Sequence, residues 1–476
     1  MIWPALCNRY PVLYPDSISY LGGGRLVARA IFLHKFSTNY GGRSLIYGLG
    51  ILPMHWNITP WPVVALHAFL TAYLIWLVVR SIVPQRTVMS YFALVIPLSL
   101  FTSLGWFVSL ITPDILGPVL YLSIYLLVFA GETISPRERM AVVLIAWWAV
   151  ASHITHLILA SGLCFLLAAV LVLQRQPVRS WLGVISKVAM IILLATTAHL
   201  VLHTYLYGRP SLTGRRPAFL LARVIADGPG RWYLQHRCGE VRFAICDHVQ
   251  EIRSDMSTDD FLWEQGGIWQ SASLATQERL RSEETAFVLS TLRTYPRAEL
   301  TIAARNFWEQ LTTFALYGYG PDPWISEAFD RALPGERWRY LQTRQAQGAL
   351  PAEFSTTAQN WMVITALGLI GAFSTFRWRH LSPQLVGLTV IIVSITIANA
   401  FVTGVFSTVE DRYQSRVIWL LPQLAGLFVL EWLAYRHDRG LSFSLPLTGP
   451  RRNPAGQAPS SQELPGSQEL PRTTDS

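Results

Sequence analysis

Charged side chains are scarce in this 476-residue chain, at 14% of the total, where a soluble domain carries about a quarter. Lysine is scarcer still. It occurs only at Lys35 and Lys187, so nearly all of the positive charge behind the formal net +9 is arginine. In a soluble protein that balance would suggest nucleic acid. Here the arginines fall in short loops between apolar runs, where membrane topology accounts for them and no nucleic-acid partner is implied. The sequence has no Walker motif, no glycine-rich dinucleotide loop and no HExxH, which argues against nucleotide use. Ionisable residues are almost absent from the middle of the apolar runs. Lys187 and Glu431 lie near run ends and are expected to snorkel, and this scarcity argues against an ion-coupled transporter. Cysteines number four. Cys7 and Cys164 lie in or near apolar segments as inert thiols. Cys238 and Cys246 share a polar region and form a local disulfide if it faces an oxidising compartment, or remain two free thiols if it does not. No cleavable signal peptide is legible, because Met1–Ala5 is too short for an apolar core.

Apolar residues make up 51% of the chain, with 18 Trp, a side chain that favours the membrane–water interface. A spanning helix needs roughly 17–25 apolar residues. The candidates are Trp61–Val79, Thr87–Gly105, Asp114–Ala130, Met140–Ala151, His156–Leu173, Trp181–His203, Asn360–Phe376, Gln384–Val402 and Tyr413–Ala434. Only Ser152-His153-Ile154-Thr155 separates the fourth from the fifth. Arg137 and Arg139 precede that pair and Arg175 and Arg179 follow it, so an even number of crossings lies between two cytoplasmic loops. Arg80 with Arg86, Arg377 and Arg379 with His380, and a tail bearing Arg436, Arg439, Arg451 and Arg452 mark the remaining cytoplasmic segments. The expected fold is all-α, a polytopic transmembrane bundle of about nine spans with a mostly helical extracytoplasmic domain. Its parts are an external N-terminal loop with an interfacial helix (1–60), the first six spans (61–205), a large periplasmic domain (206–358), the last three spans (359–434) and a disordered cytoplasmic tail (435–476). The expected location is a bacterial inner membrane.

Ser17–Phe36 carries Arg25, Arg29 and Lys35 and reads as a helix lying along the membrane surface. In the polar region, Ala275–Thr294 and Arg297–Leu316 read as helices, with Pro296 suited to a first turn. Glu327–Gln347 is a weaker third, interrupted near Leu333-Pro334-Gly335. No strand pattern stands out there. From Pro446 the chain is low-complexity, with Ser-Gln-Glu-Leu-Pro at 461–465 and again at 467–471.

Three motifs fall on the expected external face. Tyr14-Pro15-Asp16-Ser17-Ile18-Ser19-Tyr20 precedes the surface helix, where partial desolvation suits Asp16 to general-base work, and where Pro-Asp-Ser is also ordinary capping chemistry. Thr112-Pro113-Asp114 puts a second acid at the first turn of a span, which a helix dipole also favours. Glu410-Asp411-Arg412-Tyr413-Gln414-Ser415-Arg416 opens the last span. Arg412 and Arg416, four residues apart, share a helix face and suit a lipid phosphate, or snorkel in pairs with Glu410 and Asp411. His153 with His156, and His199 with His203, have metal-type spacing, but no third ligand is evident and no metal site is assigned.

Together these motifs resemble the C-type (GT-C) membrane glycosyltransferases, in particular bacterial relatives of the family 39 mannosyltransferases. Tyr14-Pro15-Asp16-Ser17 through Tyr20 looks like the family's first external loop, Thr112-Pro113-Asp114 its second external acid, and Asp411-Arg412-Tyr413 a late Arg-Tyr. In that family a spanning helix precedes the acidic loop, whereas here a short stretch interrupted by Asn8 and Arg9 stands before Asp16. The resemblance implies a polyprenyl-phosphate sugar donor, an envelope acceptor and membrane lipid as partners. Asp16 would be the base in an inverting transfer, with Arg412, Arg416 and Tyr413 at the donor phosphate and Asp114 orienting the acceptor or a cation. A divalent cation is the one cofactor this admits. The competing expectations are a non-catalytic transporter or flippase, or a scaffold, for an envelope lipid or polysaccharide.

Overall fold

The computed structural model describes residues 1–37, 43–173, 178–377 and 381–438. Arg175, Arg379, His380, Arg439, Arg451, Arg452 and the low-complexity tail lie outside the described residues, as does the side chain of Arg179. Residues Met1–Ala434 form one compact unit, and the second unit, Tyr435–Ser476, is described only to residue 438. Among the described residues every regular element is helical, and the one extended pairing is an isolated parallel bridge between Val12 and Leu110.

Among the described residues, four helices are long and apolar enough to cross a membrane: Trp61–Ile82, Ile185–Tyr207, Pro383–Phe406 and Asp411–His437. Leu45–His55, Pro113–Val128 and Ile154–Ala169 are apolar but shorter. The helix Leu116–Val128 is the centre of the bundle, with every side chain from Leu116 to Leu127 buried, as expected of a helix apolar all round. The expected Thr87–Gly105 span is instead two helices, Thr87–Phe101 and Leu104–Ser109. Thr102 turns extended between them, and the Ser103 N–H donates to Gln359 Oε1 at 2.6 Å. A break at Ser152-His153 separates the helices Pro136–Ala151 and Ile154–Leu173.

The polar region builds its own core from residues between Ala218 and Phe287, and Cys238 and Cys246 are disulfide-bonded there with Cα atoms 5.5 Å apart. Its helices Leu274–Thr294 and Pro296–Thr312 meet at Tyr295-Pro296, with the proline at the first helical position. The expected third helix is two, Pro323–Ala332 and Arg337–Leu341, divided at Leu333-Pro334-Gly335. Gly335 has φ +83°, which glycine adopts without strain. Leu316, Phe329 and Tyr340 join the bundle core rather than the separate one.

Two features set where the site forms. The helix expected along the membrane surface runs Pro15–Leu33 and crosses a second helix, Leu45–His55, within the expected N-terminal loop, at a glycine pair. A Cβ on Gly24 would overlap the Gly48 carbonyl, and one on Gly48 would stand 2.7 Å from the Tyr20 carbonyl oxygen. The second is a joint on the C-terminal end of Pro383–Phe406. Arg223 donates to the carbonyls of Ser407 and Gly404 and pairs with Asp227 at 2.7 Å, while Gln310 and the Glu410 backbone exchange two hydrogen bonds of 2.9 Å. Burial, and then the Asp227 carboxylate, push the nearby Glu299 up to about 7 against the pull of Arg223.

Gly24→Leu is expected to separate the two helices and lower the melting temperature of the purified protein, and an unchanged transition would contradict the tight crossing. Glu299, raised in the folded state, contributes stability that is full below the ordinary glutamate range and lost as pH rises through about 7. Glu299→Gln should therefore raise the melting temperature at pH 8 and leave it unchanged at pH 4.

Candidate functional site

The two acidic motifs share one local construction. Tyr14 and Thr112, each before a proline, are extended at φ −121°, ψ 158° and φ −144°, ψ 161°, as the proline ring demands of its predecessor. Each proline then opens a helix and places an aspartate in its first turn. The bridge fixes the two motifs against each other: Val12 N–H donates to Ser109 O at 3.0 Å and Ile111 N–H to Val12 O at 3.2 Å. Asp16 and Asp114 each lie four residues beyond their bridge partner, so both helices start side by side. Gln345 holds the N-terminal strand of this pair, accepting from Leu13 N–H at 3.0 Å and donating its own N–H to Asn8 Oδ1 at 2.8 Å.

Neither aspartate is spent on capping its helix. Asp16 Oδ1 meets Arg43 Nη2 at 2.6 Å, and its Oδ2 meets Arg412 Nη1 at 3.4 Å. Asp114 Oδ1 meets Arg416 Nη1 at 3.1 Å, and its Oδ2 accepts from Thr112 Oγ1 at 2.8 Å and faces Arg412 Nη1 at 3.6 Å. Arg412 therefore bridges the two acids. Its guanidinium stacks on the Tyr14 ring at 3.9 Å, and Tyr413 lies 5.4 Å from it and 5.5 Å from Arg416. Arg412 and Arg416 share a face of the helix Asp411–Ile418, whose start is pinned by Asp411 accepting Ala315 N–H at 2.7 Å.

Arg416 is 1% exposed. Besides Asp114 it holds Asn399 Oδ1 at 2.8 Å, and Asn399 Nδ2 donates to Tyr413 O and Gln414 Oε1. A cavity of about 540 Å³ opens in front of this cluster, lined by Asp16, Asp114, Arg412, Tyr413 and Arg43 but not by Arg416. The structure thus brings together all five residues expected at the site and sorts them, with Arg412 facing the cavity and Arg416 behind it. Sequence reading missed Arg43, whose guanidinium lies over Trp263 at 5.1 Å, and Asn399. The asparagine had a signal, as a lone amide in an apolar run. Arg43 had none, because only the fold carries it to Asp16. Burial lowers Arg43, but Asp16, Tyr20 and Tyr413 together outweigh it and the net shift is upward. Burial, then Asp260, raises Asp259 nearby, and burial, then Asp259, raises Glu410.

The donor set does not fit a divalent cation. Every carboxylate oxygen of Asp16 and Asp114 already faces a guanidinium, so a metal ion would have to displace arginine and add to existing positive charge. Among the described residues no three His, Cys, Asp or Glu side chains are grouped to hold a metal ion.

Removing one partner of a buried ion pair costs roughly 3–5 kcal/mol, because the other is left uncompensated. Asp114→Asn and Arg416→Met are each expected to lower the melting temperature strongly, and the double variant to lower it by less than the two shifts combined. Additive shifts would show that the pair is not coupled.

In comparisons with known proteins, no family model, no curated protein and no solved structure matches this chain.

Proposed function

We propose that the protein is an integral-membrane glycosyltransferase of the GT-C type, moving a sugar from a polyprenyl-phosphate donor to an envelope acceptor on the extracytoplasmic face. One observation carries the reading: an acid–arginine cluster assembled from three distant parts of the chain faces a cavity whose other walls include apolar residues of the candidate spans, among them Ile158, Val402 and Phe406. Ile158 and Phe406 are themselves exposed, so a lipid tail can lie along them while its phosphate reaches the arginines. The proposed topology has nine spans: Trp61–Ile82, Thr87–Phe101, Pro113–Val128, Pro136–Ala151, Ile154–Leu173, Ile185–Tyr207, Ala352–Phe376, Pro383–Phe406 and Asp411–His437. The disulfide-bearing region is then periplasmic, where such a bond persists.

In this mechanism the donor phosphate takes up Arg412 and Arg43. Both guanidiniums then leave Asp16, whose carboxylate is freed to accept a proton from the acceptor hydroxyl. The acceptor oxygen attacks the anomeric carbon as the carbon–oxygen bond to phosphate breaks, and the electron pair leaves on the phosphate. Arg412 and Arg43 stabilise the charge that develops there. The anomeric configuration inverts. Asp114, held by Arg416 and Thr112, keeps Arg412 in place. A protein that only binds or flips the same lipid would use the same cations and have no need of Asp16 as a base.

The test is sugar transfer from a panel of undecaprenyl-phosphate sugars by purified protein in lipid. Asp16→Asn should lower turnover by about 10²–10⁴-fold, the contribution of a general base, while donor binding is kept or strengthened because Arg412 and Arg43 lose a competitor. Equal loss of binding and turnover would instead make Asp16 a structural residue. Transfer should persist in a chelator, and its loss there with recovery on adding a divalent metal would contradict the misfit described above.

A further inference from the structure

We infer that one wall of the cavity, formed by His153, His199 and His203, is the pocket for the hydroxyl groups of the donor's sugar ring. This rests on the transferase reading above. His153 comes from the break before Ile154–Leu173, and His199 and His203 come from Val178–Tyr207; all three line the same cavity as Asp16, Asp114 and Arg412. The His199 and His203 ring centroids are 5.6 Å apart. His153 is close enough to Asp114 and Arg416 to feel both charges, so the wall adjoins the charged cluster.

Neighbouring groups fix what two of these rings offer. His203 Nδ1 lies 2.6 Å from the Ser211 carbonyl oxygen, which only accepts. Nδ1 therefore carries the proton, and Nε2 of the neutral ring is an acceptor. His153 Nδ1 accepts the Thr155 backbone N–H at 3.2 Å, so its Nε2 carries the proton and donates. Burial, then the adjacent His156, keep His153 well below the ordinary histidine range and hence neutral. His199 is 4% exposed and neither of its ring nitrogens has a hydrogen-bond partner. The Ala151 backbone lies beside it. A buried imidazole with both nitrogens unmet is a costly arrangement that a ligand relieves.

The wall thus presents donors and acceptors side by side. A sugar hydroxyl both donates and accepts and matches it. A phosphate oxygen only accepts and is mismatched to the acceptor nitrogens, whereas the Arg43 and Arg412 end of the cavity offers donors alone. The two ends together orient the donor, with its ring toward the histidines and its phosphate toward the arginines.

The experiment compares binding of undecaprenyl phosphate with undecaprenyl-phosphate mannose and undecaprenyl-phosphate glucose, with no acceptor present, to the full-length protein in lipid nanodiscs. The native chain should bind at least one sugar-bearing lipid about tenfold more tightly than the bare phosphate. His199→Phe and His203→Leu should each reduce that preference about five- to tenfold and leave binding of the bare phosphate unchanged, while His199→Gln, which keeps a donor and an acceptor, retains it. No preference in the native chain overturns the inference without any variant. A preference that survives in both folded variants overturns the assignment to this wall, and His203→Leu alone decides if His199→Phe does not fold. If the native chain binds the sugar-bearing lipids and transfers sugar, the transferase reading stands in either case. If it binds none of the three lipids, that reading fails and this inference with it.

Discussion

Asp16, Asp114 and Arg416 are buried beside apolar helices, with Arg412 and Arg43 half-buried next to them, and such charges cannot be left unpaired, because an isolated charge in these surroundings is prohibitively costly. Arg43, Arg412 and Arg416 are ion-paired with Asp16 and Asp114, with one positive charge in excess. In the proposed function that excess is what attracts the donor's phosphate. The pairing also sets a condition on function. A ligand enters only by offering the arginines a better partner than they already have, and a phosphate does so with several acceptor oxygens where a carboxylate has two.

The rest of the architecture serves to hold this cluster in register. The Val12–Leu110 bridge aligns two X-Pro-Asp turns about a hundred residues apart in the chain, the Gly24–Gly48 crossing lets the first of them sit deep, and the joint around Arg223 and Gln310 fixes the loop before the helix that carries Arg412. Arg416 and Asn399 brace the cluster from inside the bundle, and Arg412 is the member of the helix pair that faces the cavity. The histidine wall adds a neutral, two-sided surface next to a charged one.

Much of this was legible in the sequence. The X-Pro-Asp motifs stand out because proline fixes its neighbour's backbone, and the Arg412–Arg416 spacing gives a shared helix face directly. The helices around Pro296 were readable for the same local reasons. Other parts were not. The helix Leu45–His55 has an internal proline and lies within a stretch read as loop. The Thr87–Gly105 run carries no charge, and its break at Thr102-Ser103 shows only once Gln359 is brought to accept from the Ser103 N–H. Arg43 carries no local pattern at all; its role exists only once Asp16 and Trp263 are brought to it.

The most direct test of the account is a cryo-electron microscopy structure of the protein in nanodiscs with undecaprenyl phosphate. The account predicts the phosphate within hydrogen-bond distance of Arg412 and Arg43, both drawn off Asp16, with the lipid tail leaving past Ile158 and Phe406. Phosphate density elsewhere, with Arg412 still bridging Asp16 and Asp114, would contradict it.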